Sequence, residues 1–475
     1  MSREQFEAIR EFYRTKAVRK RIAEFCGGET FTCEYLVGFG EYLARNGYHR
    51  PLRLTNRPEE LGGLMEDGLD LFRAVWDRKS TLAVWDIEYF NLDTWQGLYS
   101  NQLTYFELME PVHRAIDSLL KGYGIPHLND CTSSGYHYIS RIPFASPVHR
   151  KLERIGTLEE TLKTKYALVP GGDQKRTRPL PLRAGRGYSG IGRLHEFLSH
   201  LVIEKTRNNS PLPVTISDTA VLRNGRGREG LSLDITQYAD PLYMRDIRTT
   251  FSTHQKHKVY IGQVGEELAR RLPVFATVPR NDLSYRELFR IRKDLKRAAG
   301  YAAECSGVIP DAAAGWEKVI ADYRRSKLFA FHREFDRVSP EPPETWPKTY
   351  WQLDLDSLPP CAAHSIRNFS WGMLNPTSIR NLCRVLFALG WNPKHIAGLI
   401  SSYYQSRPGW NTDWMKYHSE TRANFWCRVY CGLIVTGNDD LSDFNCRSHQ
   451  EKGYCPAHWC GCRLEKLREK ILERI

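Results

Sequence analysis

Six prolines fall within the 23 residues from 338 to 360, VSPEPPETWPKTYWQLDLDSLPP. Proline lacks a backbone N–H and clashes with the preceding helical turn, so no continuous helix passes through this stretch, which reads as an interdomain connector. The hydrophobic pattern differs on its two sides. Before it, apolar spacings of three and four residues predict helices near 3 to 25, 59 to 76, 105 to 121, 191 to 205 and 282 to 304. Short runs rich in Val, Ile and Tyr, at 81 to 90, 135 to 141 and 230 to 236, predict strands among those helices. After it the pattern is almost wholly helical: 377 to 390, 393 to 405, 411 to 434, and a charged helix from about 463. The expectation is an α+β fold of mixed sheets and helices, followed by a small α-helical domain. The Gly-rich polar segments 170 to 190 and 206 to 229 predict exposed loops.

At 475 residues the chain exceeds what one hydrophobic core organises. With 68 Lys and Arg against 55 Asp and Glu it carries a formal charge of +13, which points to a polyanionic partner. The amino terminus, MSREQFEAIREFYRTK, has no apolar signal core, and no stretch approaches the ~20 apolar residues of a spanning helix. We therefore expect an intracellular protein with no membrane partner. In a reducing compartment clustered cysteines point to metal rather than to disulfides. Cys26, Cys33, Cys305 and Cys383, scattered along the chain, read as packing residues.

Strand periodicity places Leu82, Val84, Asp86 and Glu88 of LAVWDIEYF on one face, and Ala83, Trp85 and Ile87 on the other. The two carboxylates then point the same way, with Cα atoms roughly 6.6 Å apart at ~3.3 Å per residue. Like charges at that distance call for a cation between them. Asp234, whose neighbours Leu233 and Ile235 take the other face of its strand, is the natural third ligand if the strands adjoin. Three hard oxygens suit Mg2+ or Mn2+. Two further segments gather phosphate-binding groups: SSGYH at 133 to 137, and MRDIRTTFSTHQKHK at 244 to 258, with its Arg, Lys, Ser and His side chains. Cys131, beside the first of them, reads as structural.

The order D-x-E, then S-x-x-H, then hydrophobic-Asp followed by R-x-x-F-S-x-H-x-K resembles the archaeo-eukaryotic primase superfamily. LSLDITQYADPLYMRDIRTTFSTHQKHK in particular is similar to the primase small subunit over some 25 residues. The resemblance implies a primase-polymerase catalytic domain in which Asp86, Glu88 and Asp234 hold two catalytic metals. It implies that Ser134, His137, Arg248, Ser252, His254 and Lys256 bind the triphosphate of an incoming nucleotide. Two cations about 3.5 to 4 Å apart lower the pKa of a 3'-hydroxyl and neutralise the departing pyrophosphate, so His137 and His254 are assigned to phosphate contact rather than proton abstraction.

At the other end, Cys446-x8-Cys455-x4-Cys460-x-Cys462 supplies thiolates for tetrahedral Zn2+, and His449 or His458 could replace one of them. Adding Cys361 from SLPPC gives a four-thiolate cage suited to an iron-sulfur cluster. The spacing leaves both open. PPC with the helical stretch after it, then LCRVLFALGWNPKHIAGLI, then NCRSHQEKGYCP, resembles the carboxy-terminal domain of the primase large subunit, which carries a 4Fe-4S cluster. The resemblance implies Cys361, Cys446 and Cys455 as ligands, with Cys460 as the fourth and Cys462 in reserve.

The two resemblances together imply a catalytic domain over 1–305, a helical segment and the start of the connector over 306–345, and the iron-sulfur domain over 346–475, with the Pro-rich stretch as a hinge. Basic groups for a single-stranded template are Lys175, Arg176, Arg178, Arg183 and Arg186 in a loop, and Arg286, Arg290, Arg292, Lys293, Lys296 and Arg297 on a helix. The expected function is a DNA primase, a nucleotidyltransferase making primers on single-stranded DNA from nucleoside triphosphates, with a replicative helicase as a further partner. The alternatives are a polymerase that only extends primers, and a non-catalytic single-strand-binding protein with a structural zinc.

Overall fold

In the computed structural model the described residues are 1–41, 54–91, 93, 97–167, 181–218, 229–243, 245–367, 376–406, 418–456, 460 and 464–475. Twelve strands are defined among them: β1 Leu36–Phe39, β2 Leu54–Asn56, β3 Asp70–Ala74, β4 Ser80–Asn91, β5 Leu128–Cys131, β6 Gly135–Pro143, β7 Val214–Ile216, β8 Glu229–Asp234, β9 Asp246–Arg248, β10 Thr253–His254, β11 Phe275–Ala276 and β12 Val278–Pro279. They form a four-stranded sheet β2-β1-β3-β9, a ribbon β10-β11, and a six-stranded sheet β12-β5-β6-β4-β8-β7. Pairing in the large sheet is antiparallel from β12 through β5 and β6 to β4, and parallel between β7 and β8. With helices around these sheets, the fold is α+β. No helix among the described residues is long and apolar enough to cross a membrane.

The long β4–β6 pair is the frame of the large sheet. Its register runs from Ser80↔Pro143 to Glu88↔Gly135, and Leu82 through Trp85, with Ile87, are buried, so both faces are covered along its length. The opening residue of β6 has to be glycine, because a Cβ at Gly135 would lie 1.6 Å from the Ile87 carbonyl oxygen. Gly135→Ala is expected to push β6 off β4 and to lower stability by about 3 kcal/mol, readable as a fall in the urea midpoint. An unchanged midpoint would refute that.

Three sequence expectations differ from the structure. The helix expected over 59 to 76 is a short helix, Leu61–Glu66, followed by β3. Gly68, at φ +65°, breaks the run, and the chain then enters the sheet with Asp70 opposite Phe39. The loop expected over 170 to 190 becomes, from Leu182 on, the first part of a 25-residue helix ending at Thr206. Its glycines are contact points rather than breakers: a Cβ would meet the His149 ring at Gly187 and the Leu152 carbonyl oxygen at Gly190, 2.5 and 2.3 Å away. Lys175, Arg176 and Arg178 lie outside the described residues, while Arg183 and Arg186 are exposed on this helix.

The third difference concerns the Pro-rich stretch. The contacts divide the chain into one unit of Met1–Leu158, Tyr166–Ile191 and Pro241–Lys318, and another of Glu159–Lys165, Gly192–Asp240 and Val319–Ile475. The stretch from 338 to 360 lies wholly inside the second unit. As the prolines require, it forms short 3-10 turns, Pro343–Lys348 and Tyr350–Gln352, and not an α-helix. Trp346 donates its indole N–H to the Glu341 carbonyl at 2.9 Å. The Tyr350 hydroxyl accepts from the Glu341 N–H at 2.9 Å and hydrogen-bonds His395 at 3.0 Å. Both rings are buried, so the segment is packed down by its aromatic residues.

The second unit is mainly helical, with Pro360–Arg367, Pro376–Ala388, Pro393–Ser406, Ser419–Val435, Cys446–Glu451 and Leu464–Leu472 in its later part. A buried ion network ties these together. Arg380 bridges Asp218 and Asp439, at 3.0 Å each. Arg384 reaches Asp439 at 2.6 Å and Asp443 at 2.7 Å, and Lys452 closes on Asp443 at 2.5 Å. Three cations face three carboxylates, with every side chain at most 8% exposed.

Candidate functional site

The register of β4 and β6 sets His137 directly opposite Asp86, and Gly135 opposite Glu88. Cross-strand partners share a sheet face. The His137 Nε2 accordingly lies 3.2 Å from Asp86 Oδ2, and Ser134, at the turn entering β6, donates its hydroxyl to Glu88 at 3.3 Å. On the other side of β4 in the strand order is β8, ending in Asp234, whose neighbours Leu233 and Ile235 are fully buried while the carboxylate is half-buried. Asp86, Glu88 and Asp234 each offer an oxygen within 4.8 Å of the others, the one such group of His, Cys, Asp or Glu among the described residues. Half-buried carboxylates at that separation fit one or two hard divalent cations.

Second contacts orient these groups. Asp234 Oδ1 accepts from the Ser217 hydroxyl at 3.0 Å and from the Thr236 N–H at 2.7 Å. The Ser217 hydroxyl oxygen also accepts from the Ile235 N–H at 3.1 Å. Ser217 sits at φ +48°, a left-handed conformation that costs free energy and is held by these bonds. Burial alone would lower the His137 pKa, but Asp86, with Asp130 and Glu88 adding, raises it above the ordinary imidazole value.

Asp130 was not foreseen. It lies on β5 directly opposite His137, so Asp130, His137 and Asp86 form a row across three strands. Its carboxyl is fully buried, accepts from Thr250 Oγ1 at 2.9 Å, and has no hydrogen-bond partner on Oδ2. Burial pushes its pKa up to about 7, opposed by Thr250 and His137. A carboxyl raised from 3.8 in the unfolded chain contributes its stability below about pH 3.8 and loses it as pH rises through 7. Asp130→Asn is therefore expected to stabilise the protein by roughly 2–4 kcal/mol at pH 8.5 and by much less at pH 5, measured by thermal unfolding. Equal effects at both values would contradict this.

The 244-to-258 segment is placed differently from expectation. Arg248 is buried, 2.7 Å from Asp70, stacked 4.4 Å over the Phe72 ring and donating to the Thr253 carbonyl. Ser252 is buried too. Its hydroxyl accepts from the Leu71 N–H at 2.7 Å and donates to the Thr253 carbonyl at 2.9 Å. Both residues are engaged in fastening the segment to β3. His254 is buried, and burial first, then Arg248, His257, Arg292 and Lys256, hold its pKa well below the ordinary value, so the ring is neutral. Lys256 is exposed. On the helix Tyr285–Arg292 Ser284 is the N-cap and Glu287 completes its capping box; Asp294 caps Leu295–Glu304 and also pairs with Arg297 at 3.4 Å, while Arg286, Arg290, Lys293, Lys296 and Arg297 are exposed. Arg292, expected on that surface, is fully buried instead.

In the helical unit Cys361 opens Pro360–Arg367 and is buried, whereas Cys446, Cys455 and Cys460 are half-buried. Asn445 caps the helix Cys446–Glu451, and the N–H groups of Tyr454 and Cys455 return to the His449 carbonyl at 2.8 and 3.3 Å. This turn folds around His449, whose Nδ1 is 3.2 Å from the Cys361 sulfur. Burial pushes the Cys361 thiol up to about 12, and the neighbouring Cys455, Cys446 and Cys460 push in the same direction. Cys361 thus lies within electrostatic reach of the other three although 85 positions separate it from Cys446 in sequence. Cys462 and His458 lie outside the described residues.

Compared with protein-family models, with curated proteins and with solved structures, the chain matches none.

Proposed function

We propose that this chain is a template-dependent nucleotidyltransferase that copies single-stranded DNA from nucleoside triphosphates and starts primers on it. The observation that carries the reading is the convergence of Asp86, Glu88 and Asp234, with His137 and Ser134 at the same end of the β4–β6 pair. Divalent cations held by the three carboxylates would supply hydroxyl activation and charge neutralisation for transfer of a nucleotidyl group. The chain's own part is positional. Ser217 fixes Asp234, the raised pKa of His137 favours the imidazolium form that pairs with a phosphate, and the exposed Lys256 adds charge. The exposed Arg286, Arg290, Lys293, Lys296 and Arg297 offer a track for a DNA backbone without reading sequence.

The cysteine set supports an iron-sulfur cluster in the same reading. Cys446, Cys455 and Cys460 act electrostatically on the buried Cys361 thiol, as one set of soft ligands would. Anaerobically purified protein is expected to absorb near about 400 nm, and Cys361→Ser to remove the band. One bound zinc and no band would overturn this assignment while leaving the catalytic reading intact.

The polymerase reading is tested with unprimed single-stranded DNA, Mn2+ and a γ-labelled nucleoside triphosphate, beside a primed template. Labelled short products from the wild type and none from Asp86→Ala are expected. Extension without labelled initiation products would reject priming, and no incorporation on either template would reject the enzyme.

A further inference from the structure

Two buried polar atoms on facing residues of the candidate site stand unused. Asp130 Oδ2 and His137 Nδ1 are shut away from solvent and have no hydrogen-bond partner among the described residues. Asp130 and His137 are opposite each other in the register of β5 and β6, so their side chains share one face of the sheet, with Cβ atoms about 4.5–5.5 Å apart. The other ring nitrogen, Nε2, is the one turned to Asp86, 3.2 Å away. Asp130 accepts from Thr250 on Oδ1, and Thr250 is itself fully buried, which leaves Oδ2 as the available oxygen of that carboxyl. The carboxyl and the ring also act on each other electrostatically.

The task of one imidazole nitrogen is set by the hydrogen bond that the other nitrogen makes. In His137 that second bond is unmade, and the first depends on Asp86, which is also a candidate cation ligand. A carboxylate turned toward a cation gives up its hold on the ring. An unmet carboxyl oxygen in the interior costs free energy, and such a group is retained where function requires it. We propose that Asp130 is a positioning residue: when Asp86 engages a cation, the Asp130 carboxylate accepts from His137 Nδ1–H and holds the ring with Nε2 directed at a phosphate. This deepens the proposed function and rests on it for the phosphate. The pairing of Asp130 with His137 rests on strand register and on the two unmet atoms.

The ring proton of the full chain supplies the first readout, observed by proton NMR downfield of the amide region and assigned by its absence from His137→Gln. Adding Mg2+ is expected to bring up one such Nδ1–H resonance in the wild type and none in Asp130→Leu, where no acceptor stands opposite the ring. Incorporation on primed single-stranded DNA is the second readout. Losing the carboxylate that orients a functional histidine typically costs about 10- to 100-fold, and Asp130→Leu is expected to fall by that much. Because Asp130 acts through His137, the double variant should lose no more than His137→Gln alone.

Should Asp130→Leu not fold, Asp130→Asn carries the comparison, with its resonance upfield of the wild-type position because a neutral amide accepts more weakly than a carboxylate. No Mg2+-dependent resonance in the wild type, or one unchanged in the Asp130 variants, would overturn the proposal. So would losses that multiply in the double variant, since they mark a structural role separate from His137. The two readings fail separately: a resonance that needs Asp130, in a chain that incorporates nothing, keeps the pairing and ends the polymerase reading. Incorporation by Asp130→Leu equal to that of the wild type does the reverse.

Discussion

Replacing Asp86 by Ala is expected to lower nucleotide incorporation by at least about a thousandfold while leaving the protein folded. Asp86 is the centre of the candidate site in two ways: it is one of three carboxylates within 4.8 Å, and it is the partner of His137 across the β4–β6 pair. Its loss removes a hard-oxygen ligand and releases the imidazole that Asp86 orients. Losing one preorganised electrostatic group typically costs about 10²–10³ in rate, and losing a metal ligand adds to that. Stability should move the other way in metal-free buffer, since one of three mutually repelling carboxylates has gone. Mn2+ separates the two effects. At 100 times its dissociation constant it should stabilise the wild type by about 2.7 kcal/mol and the variant by far less. A variant that incorporates nucleotide within tenfold of wild type would remove Asp86 from the chemistry.

Asp439→Ala is expected to be the most destabilising single change, at about 3–5 kcal/mol. Asp439 faces both Arg380 and Arg384 inside the second unit, and its removal leaves two buried guanidinium groups sharing Asp218 and Asp443. Burial would raise the Asp439 pKa, but Arg380 and Arg384 hold the carboxyl well below its ordinary value. A carboxyl depressed in the folded state contributes its stability above the unfolded pKa, near 3.8, and loses it as pH falls through the folded value. The difference between wild type and variant should therefore narrow in strong acid. Because Asp443 and Lys452 of the same network bracket the helix Cys446–Glu451, the variant should also disturb the 400-nm region if a cluster is bound, at about that wavelength. A loss below about 1 kcal/mol at neutral pH would show that relaxation or water compensates the freed guanidinium groups.

The strands of the large sheet were legible because alternation survives in a sequence whatever the partner strand: 81 to 90, 135 to 141 and 230 to 236 correspond to β4, β6 and β8. The same alternation put Asp86 and Glu88 on one face, and the structure brings Asp234 to them. Asp130 and Ser217 were not legible, since a lone Asp or Ser between apolar residues carries no sign of which strand will lie across from it. The Leu182–Thr206 helix was hidden by its glycines, which signal turns in isolation and here allow the close approach of Leu152 and His149. Arg248 and Arg292 show the same limit for charge. A cation in sequence reads as surface, and only the fold reveals that one is spent on Asp70 and the other is shut in against Phe275.

The ion network of the second unit has a practical consequence. Attraction between an exposed basic surface and a polyanion weakens steeply as salt rises, whereas ion pairs shielded from water are screened little. Arg380, Arg384 and Lys452 with their carboxylates are of the second kind, each side chain at most 8% exposed. Washing with roughly 1 M salt should therefore strip adhering nucleic acid from a chain of charge +13 without loosening its helical end, yielding clean protein for every assay that needs a defined template.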